Sequence, residues 1–130
     1  APRVAAFEHR VKAAASISGA FKTQLSADRV GEWIRFTHWA DNAEEAANKA
    51  NQRTLEVVIG NMRCPYLVVN GKLDAQTTYT NTEELASEAK GAGVDVTYVL
   101  YDEGTHVCFN IPYKYRALVG DWMANRLMEK

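Results

Sequence analysis

The sequence predicts an α/β fold, a parallel β-sheet with helices on both faces. Three observations predict it. Short apolar runs at residues 11–17, 65–70 and 94–101 alternate with longer segments of helical periodicity, which is the order of βα units. The run 11–17 is short and apolar and ends at Ser18-Gly19, as a buried parallel strand would, and Pro65-Tyr66-Leu67-Val68-Val69-Asn70, closed by Gly71, is the clearest strand of the sequence. Each run closes on a glycine-containing turn, at Ser18-Gly19, Gly71 and Gly104.

The elements follow in order. Residues 2–9 read as a helix, with Pro2 at its first turn and Val4, Ala5, Ala6 and Phe7 as its apolar content. The run 11–17 is a strand, although its three alanines are weak strand formers. Residues 27–40 turn helical, with Ser26 as N-cap and Val30, Trp33, Ile34 and Phe36 near one face. A second helix begins at the Asn42-x-x-Glu45 capping box and is expected to end near Gly60. The strand 65–70 follows. Residues 80–92 are expected as a helix opened by a Thr80-x-x-Glu83 capping box and closed at Gly91 or Gly93. Residues 94–101 are rich in Val, Tyr and Thr and read as a strand. A closing amphipathic helix starts near Pro112, with Tyr115, Leu118, Val119, Trp122, Met123 and Leu127 at helical spacing.

Composition bounds the function. The chain has 130 residues, 47% of them hydrophobic and 24% charged, enough apolar material for a core and against disorder. With 15 basic and 16 acidic residues the net charge is −1, which leaves no electrostatic footprint for nucleic acid or an anionic membrane surface. No apolar run reaches spanning length, and no metal-ligand spacing or cofactor motif occurs. Cys64 and Cys108 sit in apolar surroundings that suit buried, reduced thiols and a cytoplasmic location.

Ligands of open parallel sheets bind beyond the C-terminal ends of the strands. Two runs end there in chemistry-bearing residues: Gly71-Lys72-Leu73-Asp74, and Asp102-Glu103-Gly104-Thr105-His106. Adjacent parallel strands would bring Asp74 and His106 to one edge. A carboxylate on one imidazole nitrogen fixes the tautomer and leaves the other nitrogen free as a base. Alone, an Asp after a strand is more often a turn residue and a His after a Gly more often a surface residue. The pair, in loops after consecutive strands, is more specific.

Cys64-Pro65, a strand, Gly71-x-x-Asp74, a helix, a strand, Gly104-x-His106 and a closing helix together resemble the end of an α/β-hydrolase. There the triad runs Ser, acid, His along the chain. His106-Val107-Cys108-Phe109-Asn110 before the 115–122 helix resembles the branch of dihydropseudooxynicotine hydrolase, FrsA-like esterases and fungal polyketide-shortening hydrolases. The resemblance spans nearly the whole chain and is strongest over residues 62–127. It implies that Asp74 is the triad acid and His106 the triad base. The family's Gly-x-Ser-x-Gly elbow is absent from these residues. In the family the helix after that elbow resembles residues 1–8, so the nucleophile is expected shortly upstream of Ala1. Ser16 and Ser18 are better read as core or pocket-lining residues. Cys108 lacks the electropositive, partly exposed setting of a reactive thiol. Asn110 is a candidate to hold the His106 loop through its backbone.

The resulting organisation is 1–20 as the end of the nucleophile helix and the next strand, 21–60 as a helical lid-like insertion, and 61–130 as the C-terminal α/β-hydrolase core. Trp33, Phe36 and Trp39 would line an apolar substrate pocket, or simply pack the insertion onto the core. His38 reads as a surface or hydrogen-bonded histidine. The expected activity is serine-type hydrolysis of an ester or of a carbon–carbon bond next to a ketone. Its substrate is a small carbonyl or ester compound, and it needs no cofactor. The chain is expected to be inactive without an N-terminal half carrying the nucleophile; the resemblance also allows a homodimer. The alternative is a non-catalytic α/β binding module, in which Asp74 and His106 share no role.

Overall fold

The computed structural model describes residues 1–22 and 26–128; residues 23–25, within the segment expected as a lid, lie outside the described residues. Among the described residues, three strands form one parallel sheet in chain order: β1 (Ala14–Ile17), β2 (Tyr66–Gly71) and β3 (Val96–Tyr101). Ile17 pairs with Val69, and Gly71 with Tyr101, so the strands all discharge their C-terminal loops at the same edge.

The central strand β2 organises the core. Every residue of it is buried, and its side chains alternate between two apolar layers, as the pleat requires. Tyr66 and Val68 pack with Ala5 and Ala6 of α1 (Pro2–Phe7) and with Leu85 and Ala89 of α4 (Tyr79–Gly91). Leu67 and Val69 pack with Cys108, Ile111 and Tyr115, the last on α5 (Pro112–Met128), flanked by Leu118, Val119 and Trp122. Burying each large aliphatic side chain contributes about 1.5–3 kcal/mol. The two layers therefore clamp β2 from both faces and fix the loops that leave it. This is the predicted fold class.

The chain divides into two compact units, one of Ala1–Phe21 with Leu55–Lys130 and the other of Lys22–Thr54. The second unit holds α2 (Glu32–Thr37) and α3 (Ala43–Asn51), with Ile34, Ala46, Ala47 and Ala50 buried. No helix among the described residues is long and apolar enough to cross a membrane.

Several boundaries differ from the sequence expectation for identifiable reasons. The single helix expected over 27–40 is interrupted. Ser26 opens a short 3-10 turn at Ala27–Arg29 without a side-chain cap, and the α-helix restarts after Gly31 in extended backbone. Half of the Asn42–Glu45 capping box forms as expected, with Asn42 Oδ1 accepting from the Glu45 amide, but the return bond to Glu45 Oε2 comes from the Asp41 amide, one residue earlier. That helix ends at Asn51 and not near Gly60. Leu55, Val58 and Ile59 are buried in the first unit's core, and the Leu55 amide bonds the Phe21 carbonyl, so burial of this stretch overrides its helical spacing. The Thr80–Glu83 capping box does not form. Thr78 is the N-cap, without a side-chain cap bond, and Thr80 lies inside the first turn, its hydroxyl paired with that of Thr78.

Candidate active site

The loops after β2 and β3 meet at one glycine pair. The Leu73 amide donates to the Gly104 carbonyl at 2.9 Å, and the Lys72 amide to the Tyr101 carbonyl at 2.9 Å. A Cβ built on Gly104 would lie 2.7 Å from the Gly71 Cα, and one on Gly71 would overlap the Gly104 carbonyl oxygen. Only residues without side chains let the two backbones approach this closely.

This crossing brings Asp74 to His106. The His106 Nδ1 lies 3.0 Å from both Asp74 oxygens. The Asp74 side chain is fully buried, and that of His106 is 34% exposed. Asp74 Oδ1 also accepts the Gln76 and Thr77 amides, each at 2.8 Å. Burial works to raise the Asp74 pKa, but hydrogen bonds from the Thr77 amide, His106 and the Gln76 amide outweigh it, and the carboxyl is held below its usual range. An ionised acid can only accept, so Nδ1 carries the ring proton. Among the described residues Nε2 has no hydrogen-bond partner, which leaves its lone pair available as a base.

A strained loop presents the histidine. After His106, Val107 and Cys108 both take left-handed backbone, at φ 56° and 53°. For a β-branched valine this is an outlier, of a kind that costs on the order of 1–3 kcal/mol. Surrounding contacts hold it. Cys108 is fully buried, and its amide bonds the Thr105 carbonyl at 2.9 Å. Asn110 accepts from the Thr105 amide and hydroxyl and donates to the Glu103 carbonyl at 2.7 Å, so it braces the loop through its backbone as expected. Burial raises the thiol pKa of Cys108, with Asp74 and Glu103 adding to the effect, which keeps it protonated and unreactive. Asp102 and Glu103 are not a paired-carboxylate site: Asp102 pairs with Lys72, and Glu103 with Lys114.

The remaining candidates separate clearly. Ser16 is buried against the Tyr66 hydroxyl at 2.6 Å. Ser18, read from the sequence as a core or pocket-lining residue, and Asn70, which the sequence did not single out, bond each other at 2.8 Å. In the second unit Trp33, Phe36 and Trp39 are 69%, 78% and 86% exposed, and the last two stack with centroids 6.3 Å apart. His38 Nδ1 bonds the Ile34 carbonyl at 3.0 Å, one turn back. Among the described residues no group of three or more His, Cys, Asp or Glu is arranged to hold a metal ion.

The Asp74 environment sets an acid limit. A depressed folded-state pKa stabilises the fold above the unfolded carboxyl pKa of about 3.9, and the contribution disappears as pH falls through the folded value. Stability curves of the wild type and Asp74→Asn should therefore be furthest apart above about pH 4 and converge below it. Chemical denaturation across pH 2–7 measures this, and a gap that persists to the most acid point would contradict the assignment.

No protein-family model matches the chain. Solved structures do. The 2,6-dihydroxy-pseudo-oxynicotine hydrolase superposes with a TM-score of 0.76 at 21% identity, over 95% of this chain and 36% of that one. A hydrolase from Pseudomonas aeruginosa PA01 matches with a TM-score of 0.61 at 13% identity, over 96% and 59%. The Pyrococcus horikoshii acylaminoacyl peptidase matches with a TM-score of 0.63 at 16% identity, over 85% and 18%. The chain thus spans about a third of the length of the first of these. The likeness is one of fold: the three-stranded sheet and its helices match part of the α/β-hydrolase fold.

Proposed function

We propose that this chain supplies the acid and the base of a serine-type hydrolase acting on an ester or on a carbon–carbon bond next to a ketone. The observation that carries the reading is the buried Asp74 carboxylate seated on His106 Nδ1, 3.0 Å from each oxygen, with Nε2 open. A binding module offers no account of why an ionised, buried acid should be aimed at a half-exposed imidazole. On this reading the nucleophilic serine comes from outside these 130 residues, in an N-terminal half joined covalently or associated with the chain.

In the reaction the serine hydroxyl attacks the carbonyl carbon while Nε2 takes its proton, and Asp74 stabilises the resulting imidazolium. Collapse of the tetrahedral intermediate breaks the ester C–O bond or the ketone-activated C–C bond. His106 returns the proton to the departing alkoxide or carbanion. Water then loses a proton to Nε2 and attacks the acyl-enzyme, and the proton goes back to the serine as the acid product leaves. The deacylation half mirrors the first.

Residues 21–60 are assigned on the same reading to a lid, with Trp33, Phe36 and Trp39 as substrate-facing aromatics; their exposure within their own unit supports this. Alanine at any of the three should raise KM roughly 10-fold, since each buries an apolar group on substrate. Because the contact persists from ground to transition state, kcat should hardly move. A kcat loss with KM unchanged would place these residues elsewhere in the mechanism. The two buried free thiols, Cys64 and Cys108, support a reducing, cytoplasmic setting.

The test is reconstitution. The chain should show no hydrolysis of p-nitrophenyl esters or of 1,3-diketones by itself. It should gain one of the two activities when joined to the polypeptide that carries a Gly-x-Ser-x-Gly elbow before Ala1. Absence of both activities in the joined protein would reject the proposal.

A further inference from the structure

Ser18 follows the last residue of β1, and three features of it are unusual together. Its backbone is left-handed, at φ 55°, a conformation that serine adopts at a cost. It is buried, and its amide is pinned to the Val69 carbonyl at 2.8 Å. Its hydroxyl donates to Asn70 Oδ1 and accepts the Val107 amide, both at 2.8 Å. The direction of the first bond follows from Asn70, whose Nδ2 donates to the Thr77 carbonyl and to Thr82 Oγ1, while Oδ1 also accepts the Gly71 amide.

These bonds close a ring. From Ser18 it runs through Asn70 to the Thr77 carbonyl, through the Thr77 amide to Asp74, and through Asp74 to His106. Val107, covalently next to His106, returns it to Ser18. The acid and the base are thus each tied to one hydroxyl just beyond the end of a third strand. Because the Val107 backbone is left-handed and strained, its amide needs a fixed acceptor to stay in this conformation.

We infer that Ser18 is a positioning residue for the Asp74–His106 pair, its hydroxyl holding the Val107 amide and, through Asn70, the Asp74 loop in mutual register. The inference rests on the proposed hydrolase reading for its consequence in catalysis, but not for the geometry. A structural turn residue at φ 55° would be replaced without loss by glycine, which adopts that conformation freely. A positioning hydroxyl would not.

The experiment therefore uses Ser18→Gly in the full polypeptide carrying the nucleophile, with Asp74→Asn as reference. The Nδ1 proton of His106 is followed by NMR in histidine-labelled protein, alongside kcat, KM and thermal melting; in the wild type its bond to Asp74 is expected to slow its exchange enough to observe. The expected result is a folded Ser18→Gly protein whose Nδ1 proton exchanges too fast to observe; in Asp74→Asn the resonance is lost because the ring proton moves to Nε2. Its kcat should fall on the order of 10- to 100-fold, the scale of a misplaced catalytic group, with KM unchanged. Retention of the resonance and of kcat in Ser18→Gly would overturn the inference. If Asp74→Asn and Ser18→Gly both lose the resonance while kcat stays at wild type in each, positioning stands and the hydrolase reading fails. Should Ser18→Gly not fold, Ser18→Cys, close in size with a weaker donor, is read in its place against the same outcomes.

Discussion

On the proposed hydrolase reading, Asp74→Asn in the full polypeptide is expected to lower kcat about 10⁴-fold, the scale seen when a triad acid is made neutral without moving it. Asp74 Oδ1 accepts the Gln76 and Thr77 amides, so in the variant the amide oxygen keeps that place and the NH2 group faces His106. Nδ1 must then accept rather than donate. The ring proton moves to Nε2, and the nitrogen that should take the serine proton no longer can. Substrate contacts are untouched, so KM should stay near its original value and the loss should appear in kcat. A kcat within a few-fold of wild type would remove Asp74 from the mechanism.

Gly71→Ala carries the largest expected effect on the fold. The added methyl overlaps the Gly104 carbonyl oxygen and meets the Thr105 carbonyl as well. The neighbours are backbone, which cannot rotate away, so one loop must move. Overpacking of this kind costs about 3 kcal/mol, at the upper end of the usual range, and should lower the melting temperature by roughly 10 °C. The same movement separates Asp74 from His106, so activity should fall further than stability predicts. Gly120, inside α5 and with nothing near its Cβ position, is the internal control. Alanine there should stabilise by about 0.5–1 kcal/mol. Equal melting temperatures for Gly71→Ala and wild type would show that the close crossing of the loops is not required.

The parts of this architecture legible in the sequence are those written in local pattern. Tyr66, Leu67, Val68 and Val69 are a continuous apolar run between Pro65 and Gly71, and they form the body of the buried central strand. Gly71-x-x-Asp74 and Gly104-x-His106 follow strands whose order is the order of the sheet, so the meeting of acid and imidazole could be anticipated from topology. The Asn42 cap was readable because its partner Glu45 is three residues away. Thr80–Glu83 has the same spacing, yet Thr78 takes the cap.

What local pattern does not carry is contact at long separation. Ser18 bonds Asn70 across 52 residues and Val107 across 89, and nothing beside Ser18 announces either partner. The one available signal was the Ser18-Gly19 end of a strand at the ligand-binding edge of the sheet. The early stop of α3 is of the same kind. Residues after Asn51 keep helical spacing, but Leu55 and Ile59 are claimed by the core around Tyr66 and Val68, and burial outweighs local propensity. The strained turn at Val107 and Cys108 was equally invisible, since neither residue type favours a left-handed backbone.

The most direct measurement is covalent labelling of the complete polypeptide with a serine-directed fluorophosphonate, followed by mapping of the modified peptide. The expected result is one modified serine, outside residues 1–130, at a rate that collapses when His106 is replaced by alanine. Modification of a serine within these residues, or a rate indifferent to His106, would contradict it.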